Sequence, residues 1–178
     1  FIRYFCKIQK VYHTLNRFAY HYKFKKAKIV VNSDMCLNEL TPNDKNVICI
    51  FHNNSKYLFH INDLIKIINC ALTNSHMHFS EPKCIKNPYD NMPFQKSTLY
   101  NIYFYIRYKT DYYPELFFKF FSVDFNLTAF KINNEYVLRE YSIKHFVENS
   151  PSNILIDEIK GMIDFYNQYC RQLFLRSR

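Results

Sequence analysis

The chain has 178 residues, 48% of them apolar, and a formal charge of +9, which is enough to build a sizeable core without disulfide or metal staples. Its single glycine, Gly161, excludes a dinucleotide fingerprint, a phosphate loop and an EF-hand calcium loop, because each needs glycine where the backbone turns to positive φ or meets a phosphate. The longest uncharged apolar run, Leu99 to Ile106, is far shorter than the roughly 18 residues of a membrane-crossing helix, so the chain is read as soluble and not secreted.

The first 28 residues carry Arg3, Lys7, Lys10, Arg17, Lys23, Lys25, Lys26 and Lys28, and the first acid is Asp34. The remainder is nearly balanced, so almost all of the net charge belongs to this segment. Such asymmetry marks an arm that meets an acidic surface: phosphate, anionic lipid or a carboxylate-rich protein. Phe1, Tyr4, Ile8, Val11, Leu15, Phe18 and Tyr22 recur at spacings of three and four, with Phe5, Tyr12 and Ala19 widening the stripe. That periodicity predicts an amphipathic helix over residues 2–26 that presents its aromatic stripe to a partner or a core, with Arg3, Lys10 and Arg17 on another face. Ile8-Gln9 could open a calmodulin-type IQ motif, but the next required positions hold His13, Thr14 and Phe18, so an EF-hand partner is not expected.

Further along, residues 29–40 read as extended and Thr41-Pro42-Asn43-Asp44 as a turn. Residues 47–51 and 56–60 read as two strands joined through His52-Asn53-Asn54-Ser55, the one β-hairpin, with asparagine supplying the left-handed turn that glycine usually provides. Asn62 or Asp63 caps a helix ending near Asn74, whose Leu64, Ile65, Ile67, Ile68, Ala71 and Leu72 form its buried face. Pro82, Pro88 and Pro93 make residues 79–94 an irregular connection. Within it, Asn87, Pro88, Tyr89, Asn91, Pro93 and Phe94 are read as a rigid structural joint: prolines stiffen it, asparagines bond its backbone and the two rings plug into a core. Further helices are predicted from Ser97 to Tyr108, from Leu116 to Phe125 after Pro114, from Leu127 to Val147 with a break at Asn133-Asn134, and from Ile154 to Phe174. The last should bury Ile159, Met162, Ile163, Tyr166, Tyr169 and Leu173. The fold class is mainly α: a helical bundle with one small β-hairpin, organised as an arm over residues 1–28 and a single domain over 29–178.

No residue set specifies a reaction. Cys70, His76, His78 and Cys84 are zinc-type ligands, but structural sites use pairs two to four residues apart, and this series is looser. Six cysteines without a C-x-x-C pair read as reduced, mostly buried thiols. Chance pairing of six cysteines with seven histidines is no sign of thiol catalysis. Asp157, Glu158, Glu135 and Glu140 stand beside basic residues at helical spacings, as on solvated faces. The expectation is therefore no enzyme, no cofactor and no metal. The Asn, Ile, Lys, Phe and Tyr content matches AT-rich coding, so the 16 Tyr and 18 Phe are not evidence for base stacking. Residue 1 is Phe, and the chain is read as part of a longer one.

The stretches KYLFHINDLIKIINCALTNS, FSEPKCIKNPYDNMPFQKSTLYNIYF and NNEYVLREYSIKHFV resemble a family of uncharacterised proteins of nucleocytoplasmic large DNA viruses, with its N-P-Y-x-N-x-x-F joint and L-Y-N-I-Y helix, over about residues 45–150. The resemblance brings no catalytic residues. What it implies is setting: a virion or the cytoplasm of an infected host cell, and other viral proteins as partners. The expected function is a non-enzymatic structural or interaction protein of minor-capsid type that docks its basic helix on an acidic partner. The alternative is sequence-nonspecific nucleic-acid binding through the same eight cations.

Overall fold

The computed structural model describes residues 1–176, with side chains described through Arg171. It is mainly helical, with seven helices among the described residues: α1 (Ile2–Lys26), α2 (Ile61–Leu72), α3 (Lys96–Lys109), α4 (Glu115–Ser122), α5 (Leu127–Asn133), α6 (Glu135–Asn149) and α7 (Ser152–Arg176). The strands are β1 (Ile29–Val31), β2 (Val47–His52), β3 (Ser55–His60), β4 (Ser75–His76) and β5 (Phe79–Ser80). The sequence reading expected one body over residues 29–178; the chain gathers into two compact units, residues 1–72 with 83–130, and residues 73–82 with 131–178.

In the first unit, β2 and β3 form the predicted hairpin. Asn53 and Asn54 take φ of 51° and 61°, and His52 pairs with Ser55, so the loop is two residues long. Both central residues at positive φ give the turn whose twist matches that of the strands, and asparagine tolerates that region better than other residues with a β-carbon. Beyond the hairpin, β1 adds to β3 in parallel, giving the order β1-β3-β2. Of the extended stretch predicted from 29 to 40, only Ile29–Val31 is strand. The chain then folds over Asp34, whose carboxylate accepts from the Cys36 and Asn38 amides and carries Leu37 at a φ of 67°.

β3 runs directly into α2, with no separate capping residue at Asn62 or Asp63. Instead, the Asn62 amide donates to His60 Nδ1 at 3.3 Å. Ile61, Leu64, Ile68 and Leu72 are buried, recurring at spacings of three and four as one helix face requires. α2 packs against α4, whose Phe117 and Phe120 are buried, as are Ile102 and Ile106 of α3 and Phe130 of α5. Tyr103 stacks on Phe121 at 3.7 Å, and Phe120 meets Phe130 edge-on at 5.2 Å. The aromatic surplus thus fills the α3–α4 interface, where offset and edge-to-face pairs add to apolar burial. α4 stops at Ser122, three residues before the predicted end, because Asp124 and Phe125 adopt φ of 55° and 56°. Asp124 accepts from Lys96 and Tyr100, and these bonds, Lys96 first, hold its carboxyl below the usual range.

In the second unit, β4 and β5 pair antiparallel around Met77 at a φ of 51°, a small second hairpin where the sequence reading had only a helix end and an irregular connection. α5 and α6 are separated at Asn134, as expected, with its φ at −121°. The His78 ring packs on Phe146 of α6 at 5.7 Å, and its Nδ1 lies 3.7 Å from Glu158 of α7. The predicted burial of the α7 stripe is corrected: Ile159, Met162, Ile163, Tyr166 and Tyr169 are all exposed, and Leu173 lies outside the described side chains.

Truncating a core ring should cost far more than truncating the N-terminal stripe. Phe117→Ala should destabilise the chain by about 3–5 kcal/mol, while Leu15→Ala should stay within about 0.5 kcal/mol, both read from urea unfolding.

Candidate functional site

α1 forms over the predicted residues, Ile2 to Lys26, and contains no buried residue. Arg3, Lys7, Lys10, Arg17, Lys23, Lys25 and Lys26 lie on it and are exposed; Lys28 follows it, also exposed, with its carbonyl accepting from the Lys56 amide at 2.9 Å. Among the described residues, none of these eight cations forms an ion pair with a carboxylate. Lys26 lies 4.7 Å over the Tyr22 ring. The last turn carries Lys23, Lys25 and Lys26, favourable there against the helix dipole.

Of the two faces expected for the aromatic stripe, a partner or a core, the chain's own core does not take it. Phe1, Tyr4, Phe5, Ile8, Val11, Tyr12, Leu15, Phe18 and Tyr22 remain between 52% and 99% exposed. α1 attaches to its unit by another face and only near its C-terminal end. Tyr20 meets Phe51 edge-on at 5.7 Å, Phe24 lies 6.3 Å from the same ring, and Lys56 Nζ sits 4.4 Å over Phe24. At about 100° per residue, Tyr20 and Phe24 lie well round the helix from the stripe. Sequence periodicity identified the stripe correctly but could not show that two off-stripe rings would make the attachment.

Between this end of α1, β2 and the start of α3 lies a cleft of about 350 Å³, lined by polar groups of Asn16, Lys23, Gln95, Ser97, Thr98 and Asn101 together with Cys49 and Tyr20. Burial pushes the Cys49 thiol above its ordinary pKa, with Lys56 partly opposing. A thiol so held is protonated near neutrality, and the cleft lining includes no histidine or carboxylate to serve as its base. This geometry does not activate a nucleophile.

The proline-rich joint packs on the β2–β3 sheet. Asn87 is fully buried; its amide donates to the Met92 carbonyl, its Oδ1 accepts from the Tyr89 amide at 3.2 Å, and its carbonyl accepts from the Asn91 amide, with Asn91 at a φ of 55°. Pro88 and Pro93 are exposed, and Lys86 bridges Pro93 across the loop. Tyr89 stacks on Tyr57 at 6.0 Å and donates to the Ser33 carbonyl, while Phe94 is buried against His52 and Phe59. The sequence reading missed Asp90, which this fold brings to two strand residues: Tyr57 donates to Asp90 Oδ2 at 3.4 Å and His52 Nε2 lies 3.7 Å from the same oxygen. Only a strand register could have revealed that grouping. His52 and Tyr57 are each 6% exposed, so the cluster is closed to a substrate.

Among the described residues, no group of three or more His, Cys, Asp and Glu is placed to hold a metal ion. Cys70 and Cys84 are free and exposed, and His78 is engaged with Phe146 and Glu158. The expectation of mostly buried thiols is corrected: Cys6, Cys36, Cys70 and Cys84 are exposed, and Cys49 and Cys170 are half-buried. No described helix is long and apolar enough to cross a membrane. Compared with protein-family models, with curated proteins and with solved structures, the chain matches none.

The joint yields a pH prediction. Burial, reinforced by the Asp90 charge, raises the Tyr57 phenol above its usual value near 10. A group raised on folding contributes stability that is complete below its unfolded pKa and is lost as pH rises through the folded one. Stability should therefore fall as pH climbs above about 10, and Tyr57→Phe should flatten that fall, measured as the urea midpoint against pH.

Proposed function

We propose that this chain is a non-enzymatic interaction protein that docks on an acidic partner through α1. In the setting implied by its sequence resemblance, it is a viral structural protein of minor-capsid type, found in the virion or the infected host cytoplasm. The observation that carries the docking reading is the exposed apolar stripe running beside cations that have no carboxylate partner. An apolar face of this extent on a helix held by a different face contributes little to its own fold, and contiguous exposed apolar surface marks an interaction site. The charge sets the sign of the partner. Sequence-nonspecific nucleic-acid binding is the second reading, favoured by the same unpaired cations, but it gives the aromatic stripe no role.

Reversing three charges, R3E/K10E/R17E, should abolish low-salt retention of the chain on immobilised polyglutamate; unchanged retention would overturn the docking reading. Titration of labelled duplex DNA and RNA at two salt concentrations decides the second reading, which fails if neither binds at low salt. Mass spectrometry of purified particles of the encoding virus addresses the setting: absence of the chain removes the virion assignment.

A further inference from the structure

Residues 1–18 of α1 separate by side. Taken at about 100° per residue, the stripe from Phe1 to Phe18 occupies one continuous arc somewhat wider than a third of the helix circumference. Arg3, Lys10 and Arg17 fall on the opposite arc, together with His13. At about 1.5 Å per residue, these residues present the division along roughly 27 Å. The stripe is more than half aromatic, and Lys7 and Lys25 stand at its margin, where a long stem can follow the apolar surface while the charge stays in water. No acid interrupts the helix.

Resting on the docking reading above, we infer that the acidic surface is the headgroup layer of an anionic lipid bilayer, with α1 lying in the interface and not crossing it. A wide aromatic and aliphatic arc opposite one whose charges are all positive is the composition of a helix that sinks its apolar side to the acyl boundary. Tyrosine, with an apolar ring and a polar tip, suits that depth. The cations meet the negative surface potential of anionic lipid. A second copy packed stripe to stripe would cover the apolar arc but leave the seven cations of each helix without a carboxylate. Phosphate on nucleic acid would satisfy the cations but leave the exposed arc in water. The attachment geometry agrees, since Tyr20 and Phe24 hold the helix to Phe51 by another face and leave the stripe clear from Phe1 to Phe18.

The chain has no tryptophan, so one introduced indole reports its own surroundings. Phe18→Trp, on the stripe, and His13→Trp, on the polar arc, would be mixed with vesicles of phosphatidylcholine alone and of phosphatidylcholine with phosphatidylserine. The expected result is a blue shift for Phe18→Trp with the anionic vesicles only, little shift for His13→Trp, and co-sedimentation that weakens with salt. Lys10→Gln and Arg17→Gln should each weaken vesicle partitioning about fivefold, and the exposed-site pair Val11→Asp with Leu15→Asp should abolish it. Equal shifts at both positions, binding indifferent to the stripe substitutions, or no binding to anionic vesicles would overturn the inference. Loss of vesicle binding with retention on polyglutamate intact would overturn the lipid assignment alone; loss of both would remove the docking reading too. Preference for duplex DNA over vesicles at matched charge would equally overturn it.

Discussion

The register of β2 against β3 decides the arrangement of the first unit. With Asn53 and Asn54 fixed at positive φ and His52 opposite Ser55, Ile48, Ile50, Tyr57 and Phe59 share one face of the sheet, while Cys49, Leu58, Phe51 and Lys56 share the other. The proline-rich joint covers the first face through Tyr89 and Phe94; the end of α1 covers part of the second through Tyr20 and Phe24. A slip of one residue would exchange the faces, placing Lys56 under the joint and Tyr57 under the helix. In a chain with one glycine, two adjacent asparagines hold this arrangement.

That sheet also explains why the N-terminal stripe stays in water. β2 offers α1 a single large ring, Phe51, and Phe51 is already engaged by Tyr20 and Phe24. Rotating the helix to bury Phe18 and Tyr22 would break both aromatic contacts and the Lys56 contact over Phe24. Each edge-to-face pair contributes about 0.5–1.5 kcal/mol beyond its buried area, enough to set the helix rotation when the competing stripe has no facing groove. The helix is anchored at one end by its own unit and presents its widest apolar surface elsewhere. That surface is the basis for reading the chain as a docking protein.

Much of the fold was legible in the sequence where the signal is local. The limits of α1, the asparagine hairpin, the break between α5 and α6, and the buried period of α2 all follow from spacing and turn chemistry. The start of α2 differs because His60, not an Asn or Asp side chain, meets its Asn62 amide, and the end of α4 moved because a contact distant in sequence intervened, the left-handed Asp124-Phe125 pair held by Lys96 and Tyr100. The short β4–β5 hairpin left almost no signal, since two-residue strands are too brief to show alternation.

The sequence by itself determined that positive charge is concentrated in the first 28 residues, that those residues form an amphipathic helix, and that chemistry dependent on glycine loops is excluded. These are properties of composition and period, complete without neighbours. Which face of an amphipathic helix is buried depends on what stands opposite, and that is a property of the assembled chain. Tertiary structure alone decided that the α1 and α7 stripes are exposed, that Asp90 joins His52 and Tyr57, and that thiols expected inside lie at the surface. Periodicity marks the side of a helix that can bury; only the packed partner shows whether it does.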